Sequence, residues 1–222
     1  MARFGRGYPI QHLQAPRLAW VAYDATGAGA NASAASLSWS HTISGNAVVA
    51  WFSAAVDSST ASATAQVGTT AMTQLASLIN IANASGVYLH MFAFGLLNPP
   101  TGSQTITAST SSGTTRYLAA NSVSYFRVSS FGTPATTTGT GTTASQSVTS
   151  TPGRTVAQAF TDIAAAPGSF SAYSPTQRSN IAAVSGTNKA LVIGDGPGAA
   201  TVNFSATQPS SAYGGIAVPL IP

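Results

Sequence analysis

The sequence has no cysteine and no glutamate, and a single lysine, Lys189. Its 222 residues hold 8 Lys+Arg and 4 Asp+Glu, a charged fraction of 5%, against about a quarter in an ordinary soluble domain. Each shortage excludes something. Without cysteine there is no disulfide, no thiol nucleophile and no thiolate metal site. Without Glu and with one Lys, a coiled coil or long charged helix lacks its flanking ion pairs. A transmembrane helix needs ~20 consecutive apolar residues, and the apolar runs here are far shorter. Disorder needs high net charge and few apolar residues, whereas hydrophobic residues make up 44% and the formal net charge is +4. Acid–base or metal chemistry has to come from Asp24, Asp57, Asp162 and Asp195 and from His12, His41 and His90.

What is present is hydroxyl. Ser and Thr together make up about a quarter of the chain. The length allows one large all-β domain or two small ones, and suffices to bury a real core. Arg3, Arg6 and Arg17 lie in the first 18 residues, which contain no acid, and the remainder is near neutral. No basic face that would neutralise phosphates is visible, so nucleic acid is not an expected partner. No secretory signal is expected either, because Pro9, His12, Gln14 and Pro16 interrupt the stretch where an apolar core would lie. No membrane insertion is expected.

Residues 1–18 read as an extended arm. Gly5, Gly7, Pro9 and Pro16 prevent a helix, and Phe4, Tyr8, Ile10 and Leu13 are anchors without a period. From residue 19 the dominant period is two. Leu37, Trp39, His41 and Ile43 share one face and Ser36, Ser38, Ser40 and Thr42 the other, as in a half-buried strand with a hydroxyl face. Ser44-Gly45-Asn46 reads as a turn and Ala47–Val56 as the returning strand of a β-hairpin. Val87–Leu97 and Arg116–Val128 are long strands. Residues 129–152 are rich in Gly, Thr and Ser and lack apolar anchors, which predicts a long loop, a crossover or a pair of edge strands. Later strands are expected at Asn180–Val184, Lys189–Ile193, Thr201–Ala206 and Tyr213–Leu220, with a turn at Gln208-Pro209. About a dozen short strands at ~8–15-residue spacing predict a sandwich or barrel. The reading is one all-β, jelly-roll-like β-sandwich over 19–222 behind the arm.

Sites of chemistry are scarce. Abundant Ser leaves a Ser-His-Asp triad open to composition, but no G-x-S-x-G elbow occurs. His41 and His90 sit on apolar strand faces and read as satisfied core or interface residues. A glycosidase needs two carboxylates ~5–10 Å apart, and the Asp residues are far apart in sequence. Asp57 is expected in a turn. Asp195, in Gly194-Asp195-Gly196-Pro197-Gly198, is expected in a tight turn that needs positive φ. One Asp does not make a calcium site, and no ligand spacing suits zinc. No cofactor is implied. Carbohydrate stacking would use exposed aromatics: Tyr173 in a polar context, Tyr117 and Tyr213, with Trp51 and Tyr88 weighed beside them. Trp51, in an apolar strand, reads as core or subunit interface.

Assembly has the broadest physical support. A surface of Ser, Thr, Ala and Gly has little charge to desolvate and little rotamer entropy to lose on contact with copies of itself. Two features also carry a resemblance. The opening MARFGRGYP resembles the start of minor tail proteins of phages infecting mycobacteria and related actinobacteria. Residues from about 36 to 130 resemble a jelly-roll-like module of phage and bacterial surface proteins. The motifs are Ser38-Trp39-Ser40-His41-Thr42-Ile43-Ser44-Gly45, Ala71-Met72-Thr73-Gln74-Leu75, and Gly95-Leu96-Leu97-Asn98-Pro99-Pro100 running on to Thr107. The resemblance implies a virion structural protein of the tail, partnered by copies of itself and by other tail proteins. It suggests a trimer and carries over no catalytic residue. On this reading Arg3, Phe4, Arg6 and Tyr8 dock the arm onto neighbours. Alternatives of other classes are a carbohydrate- or receptor-binding adhesin on the host surface, with cell-wall glycan as partner, and a capsid decoration protein.

Overall fold

The computed structural model describes residues 20–114, 116–163, 170–183 and 190–222, and over them the chain is all-β, without a helix. The expected arm, with Arg3, Phe4, Arg6 and Tyr8, lies outside the described residues. The strands are β1 (Ala22–Thr26), β2 (Ala30–Ala32), β3 (Ser36–Ile43), β4 (Ala47–Val56), β5 (Ala63–Val67), β6 (Thr70–Ala71), β7 (Thr73–Ala84), β8 (Val87–Leu97), β9 (Gly102–Thr110), β10 (Arg116–Phe126), β11 (Ser130–Phe131), β12 (Ala135–Val148), β13 (Thr155–Asp162), β14 (Ser171–Ser174), β15 (Thr176–Ile181), β16 (Leu191–Pro197) and β17 (Val202–Ile221).

They stack as three antiparallel layers. The middle sheet runs β1-β10-β4-β8-β7, with β2 on β10. One outer sheet runs β3-β9-β5-β6, and the other β11-β17-β13-β16-β15, with β12 and β14 on β17. Strand β4 shows why the middle sheet is so apolar, since it is buried at every position. Val48, Ala50, Phe52, Ala54 and Val56 face the β3 sheet in one core. Ala47, Val49 and Trp51 face the β17 sheet in a second core, with Ala157, Ile193, Ile216 and Val218. A strand buried on both faces has no polar side to alternate with. The sandwich of the sequence reading is therefore present, and residues 130–221 add a third layer that shares a core with it.

The expected hairpin of β3 and β4 does not form. β3 pairs with β9, whereas β4 pairs with β10 and β8 in the other layer. Ser44-Gly45-Asn46 is a crossover between sheets. A Cβ on Gly45 would run into the Tyr125 backbone, so the crossover hugs β10.

The 129–152 stretch is mostly strand. β12 pairs with β17 from Ala135↔Ala217 to Val148↔Val202. Its first half lacks apolar anchors because the Tyr213 ring lies against Gly139, where a Cβ would collide with it. The expected turn at Gln208-Pro209 is a bulge inside β17, the position a strand proline tolerates. Both strands change faces there. Phe204 and Ala206 precede the bulge and Tyr213 and Ala217 follow it, all in one core, opposite in parity. Gln208 Nε2 donates to the Gly141 and Ser211 carbonyls at 2.9 and 3.2 Å, bridging the irregularity.

Candidate functional site

Among the described residues no three His, Asp or Glu side chains gather as metal ligands. Two places that bring ionisable side chains together stand out among the described residues.

The first is buried between the β3 sheet and the middle sheet. Asp24 Oδ2 accepts the backbone N–H groups of Ser44 and Gly45 at 2.8 and 2.6 Å and the Ser124 hydroxyl at 2.7 Å. His41 Nε2 lies 3.0 Å from Ser124 Oγ, and His41 Nδ1 lies 2.7 Å from Ser122 Oγ. Trp39 Nε1 donates to Ser122 Oγ at 2.9 Å. Donor counting fixes the protons. Ser124 gives its only proton to Asp24, so it accepts from His41 Nε2–H. Nδ1 is then the acceptor for the Ser122 hydroxyl. Burial pushes the His41 pKa down to about 4, against the opposing pull of Asp24 and a bond to the Ala25 carbonyl. Burial pushes Asp24 up, but bonds from Ser124, Ser44 and Gly45 and the charge of His41 hold it below its ordinary value. The set contains Ser, His and Asp in the order Asp24–Ser124–His41–Ser122, so the histidine does not bridge acid and nucleophile as in a triad. Both hydroxyl residues are fully buried. The arrangement latches β1, β3 and the β3–β4 crossover onto β10.

His90 is likewise enclosed. Its Nδ1 accepts the Asn80 N–H at 3.1 Å, and its Nε2 donates to the Ser58 carbonyl at 3.0 Å. Burial lowers its pKa, opposed by that Ser58 bond.

The second meeting place opens to solvent. It is a cleft of about 220 Å³ where β1, β15 and β16 converge, lined by Trp20, Tyr23, Arg154, Arg178, Asp195 and neighbours. Asp195 is not in a turn. It lies within β16, paired with Ala157 on β13 and Thr176 on β15. Its glycine neighbours serve close approach, since a Cβ on Gly194 would strike the Thr176 carbonyl oxygen and the Tyr173 ring. Asp195 Oδ2 accepts Arg178 Nε at 2.9 Å and the Tyr125 hydroxyl at 3.2 Å. The Arg178 guanidinium also lies 3.8 Å above the centre of the Tyr23 ring, in cation–π contact. Burial pushes the Tyr125 pKa well up, and the Asp195 charge adds to this. Burial lowers the Arg178 pKa, but its bond and charge pairing with Asp195 leave it raised. Trp20 is 54% and Tyr23 40% exposed, the most exposed large aromatics among the described residues.

The expected stacking residues lie elsewhere. Tyr173 is 9% exposed, packs between Phe160 and Phe204, and donates its hydroxyl to Gln158 Oε1 at 2.7 Å. Tyr213 is 7% exposed and edge-on to Phe160. Neither offers a ring face to a sugar, because the polar residues around them lie on the outer sides of their strands. Tyr117 is half-buried against Ala55, Leu89 and Ile163, and Tyr88 is half-buried on β8. Trp51 is core, with Nε1 donating to the Ile216 carbonyl at 3.3 Å. The cleft residues carried one usable signal. In a chain with so few charges, an Asp inside the apolar run Leu191–Pro197 requires a cation, and Arg178 is near in sequence.

Comparisons with protein-family models, with curated proteins and with solved structures each find no match.

Proposed function

We propose that this protein is a non-enzymatic structural component of a phage particle, a minor tail protein that builds the tail tip or a tail appendage by packing against copies of itself and other tail proteins. The observation that carries the reading is the outer face of the β3-β9-β5-β6 sheet. Those strands contain no Lys, Arg, Asp or Glu, and their single titratable group, His41, points inward. Ser38 and Thr107 join across the pair at 2.8 Å, and Thr64 and Ser109 at 3.0 Å. Such a face presents ordered hydroxyls at low desolvation cost and supports close contact between copies. The resemblance of the opening residues to phage tail proteins supplies the biological setting. The arm residues Arg3, Phe4, Arg6 and Tyr8 are proposed to dock on neighbouring subunits.

Immunogold labelling of purified particles, with copy number from quantitative mass spectrometry, tests the reading. Label at the tail tip in a small fixed copy number is the expected result. Label across the shell would assign capsid decoration instead, and absence from purified particles would remove the structural role.

A further inference from the structure

We propose that the cleft between Trp20, Tyr23, Arg154 and Arg178 binds a monoanionic pyranose, a uronic-acid sugar, with its carboxylate on the arginines and its ring against Trp20. The proposal does not depend on where the protein sits in a particle.

Charge selects the anion. Two guanidiniums and one carboxylate line the cleft, so one positive charge is in excess. Asp195 engages Arg178 through Nε alone. The Nη groups have no hydrogen-bond partner among the described residues, and neither has the Arg154 guanidinium. Arg178 is also held in place, stacked on Tyr23 and tied to Asp195, so its remaining N–H groups form a preorganised fork of the kind that takes a carboxylate in two parallel bonds. A single excess charge matches a carboxylate. A phosphate monoester carries about −1.5 to −2 near neutral pH and would remain undercompensated.

Aromatic exposure selects the ring. One face of Tyr23 is covered by Arg178, which leaves Trp20 as the platform for the C–H face of a pyranose. Thr155 and Thr176 stand on the cleft wall with hydroxyls that can bond sugar hydroxyls. The volume is below about 300 Å³, the lower end for drug-sized ligands, which limits the site to about one sugar residue. A metal is disfavoured by the two guanidiniums.

Trp20 supplies the assay. The other two tryptophans, Trp39 and Trp51, are buried, so a ligand on Trp20 alters the solvent-exposed component of the emission. The full chain is titrated with D-glucuronate, D-glucose, acetate and glucose 6-phosphate, by fluorescence and by ligand-observed NMR. Glucuronate is expected to bind at least about tenfold more tightly than glucose or acetate, a difference of about 1.4 kcal/mol. Trp20→Ala and Arg154→Gln alter side chains outside the cores. Each is expected to weaken glucuronate binding by about tenfold while leaving thermal stability unchanged. Equal binding of glucuronate and glucose, tighter binding of glucose 6-phosphate, or glucuronate binding indifferent to both substitutions overturns the proposal.

Discussion

His41 and Ser122 face one another across two sheets, with the ring Nδ1 2.7 Å from the hydroxyl oxygen. The ring is the acceptor, so it must stay neutral for the contact to exist. Protonation would place a donor against a donor in a site with 1% of the histidine exposed.

Acid should therefore destabilise the fold before any carboxylate is neutralised. The unfolded histidine takes up a proton near pH 6.5, but the folded one only near pH 4. A base with a depressed folded pKa contributes stability above the unfolded value and loses it as pH falls toward the folded one. The expected loss is about 3 kcal/mol over that window. The lowered pKa of His90 acts in the same direction. Asp24, also lowered, adds its own loss once pH falls below its unfolded value of 3.8. Urea unfolding followed by tryptophan emission at stepped pH measures the slope. His41→Gln should be less stable at neutral pH yet show a flatter profile; an unchanged slope would locate the sensitivity elsewhere.

Arg178→Met should cost about 2 kcal/mol, because it leaves the Asp195 carboxylate, 4% exposed, with only the Tyr125 hydroxyl. The double change with Asp195→Asn should recover part of that loss. The double-mutant cycle gives the coupling directly, and additive effects would mean that the ion pair contributes nothing.

Periodicity made β3 legible, since one of its faces is wet. Its partner was not legible. The Ser44-Gly45-Asn46 turn looks the same whether the chain folds back in its own sheet or steps to the next layer. Only the burial of both faces of β4 distinguishes the two, and that is a property of the whole stack. The 135–141 half of β12 lacked a signal for a different reason: Tyr213, some seventy residues later in sequence, fills the space that Gly139 leaves. The cleft was least legible. Trp20, Arg154, Arg178 and Asp195 come from separate stretches, and an aromatic next to Ser and Pro, such as Tyr173, can still point inward.

Gly194→Ala should be among the most damaging single methyl additions. The new Cβ would meet a backbone carbonyl oxygen, that of Thr176, and the Tyr173 ring, neither free to retreat. The expected loss is about 3 kcal/mol, the upper end for overpacking. Gly86→Ala is the control, because its Cβ meets nothing within 4 Å, and its cost comes from its positive φ of 80° alone. If thermal melts place the two equal, packing at β15–β16 is looser than the contact implies.

The uncharged outer face makes a prediction separable from folding. Ser38 and Thr105 lie on neighbouring strands of that face, two residues from direct opposition, and both are exposed. Replacing each with Arg puts two charges on the surface without touching a core, so stability should change by less than about 0.5 kcal/mol. Any assembly through this face would have to desolvate both charges and hold them against their copies. Sedimentation velocity and light scattering should then show the variant shifted toward monomer at a concentration where the parent chain is oligomeric. Removing residues 2–18 tests the arm in the same assay. If the arginine variant keeps its oligomers and the truncation loses them, the contact runs through the arm and the hydroxyl face stays free. If both keep them, the self-packing argument fails on both of its structural supports.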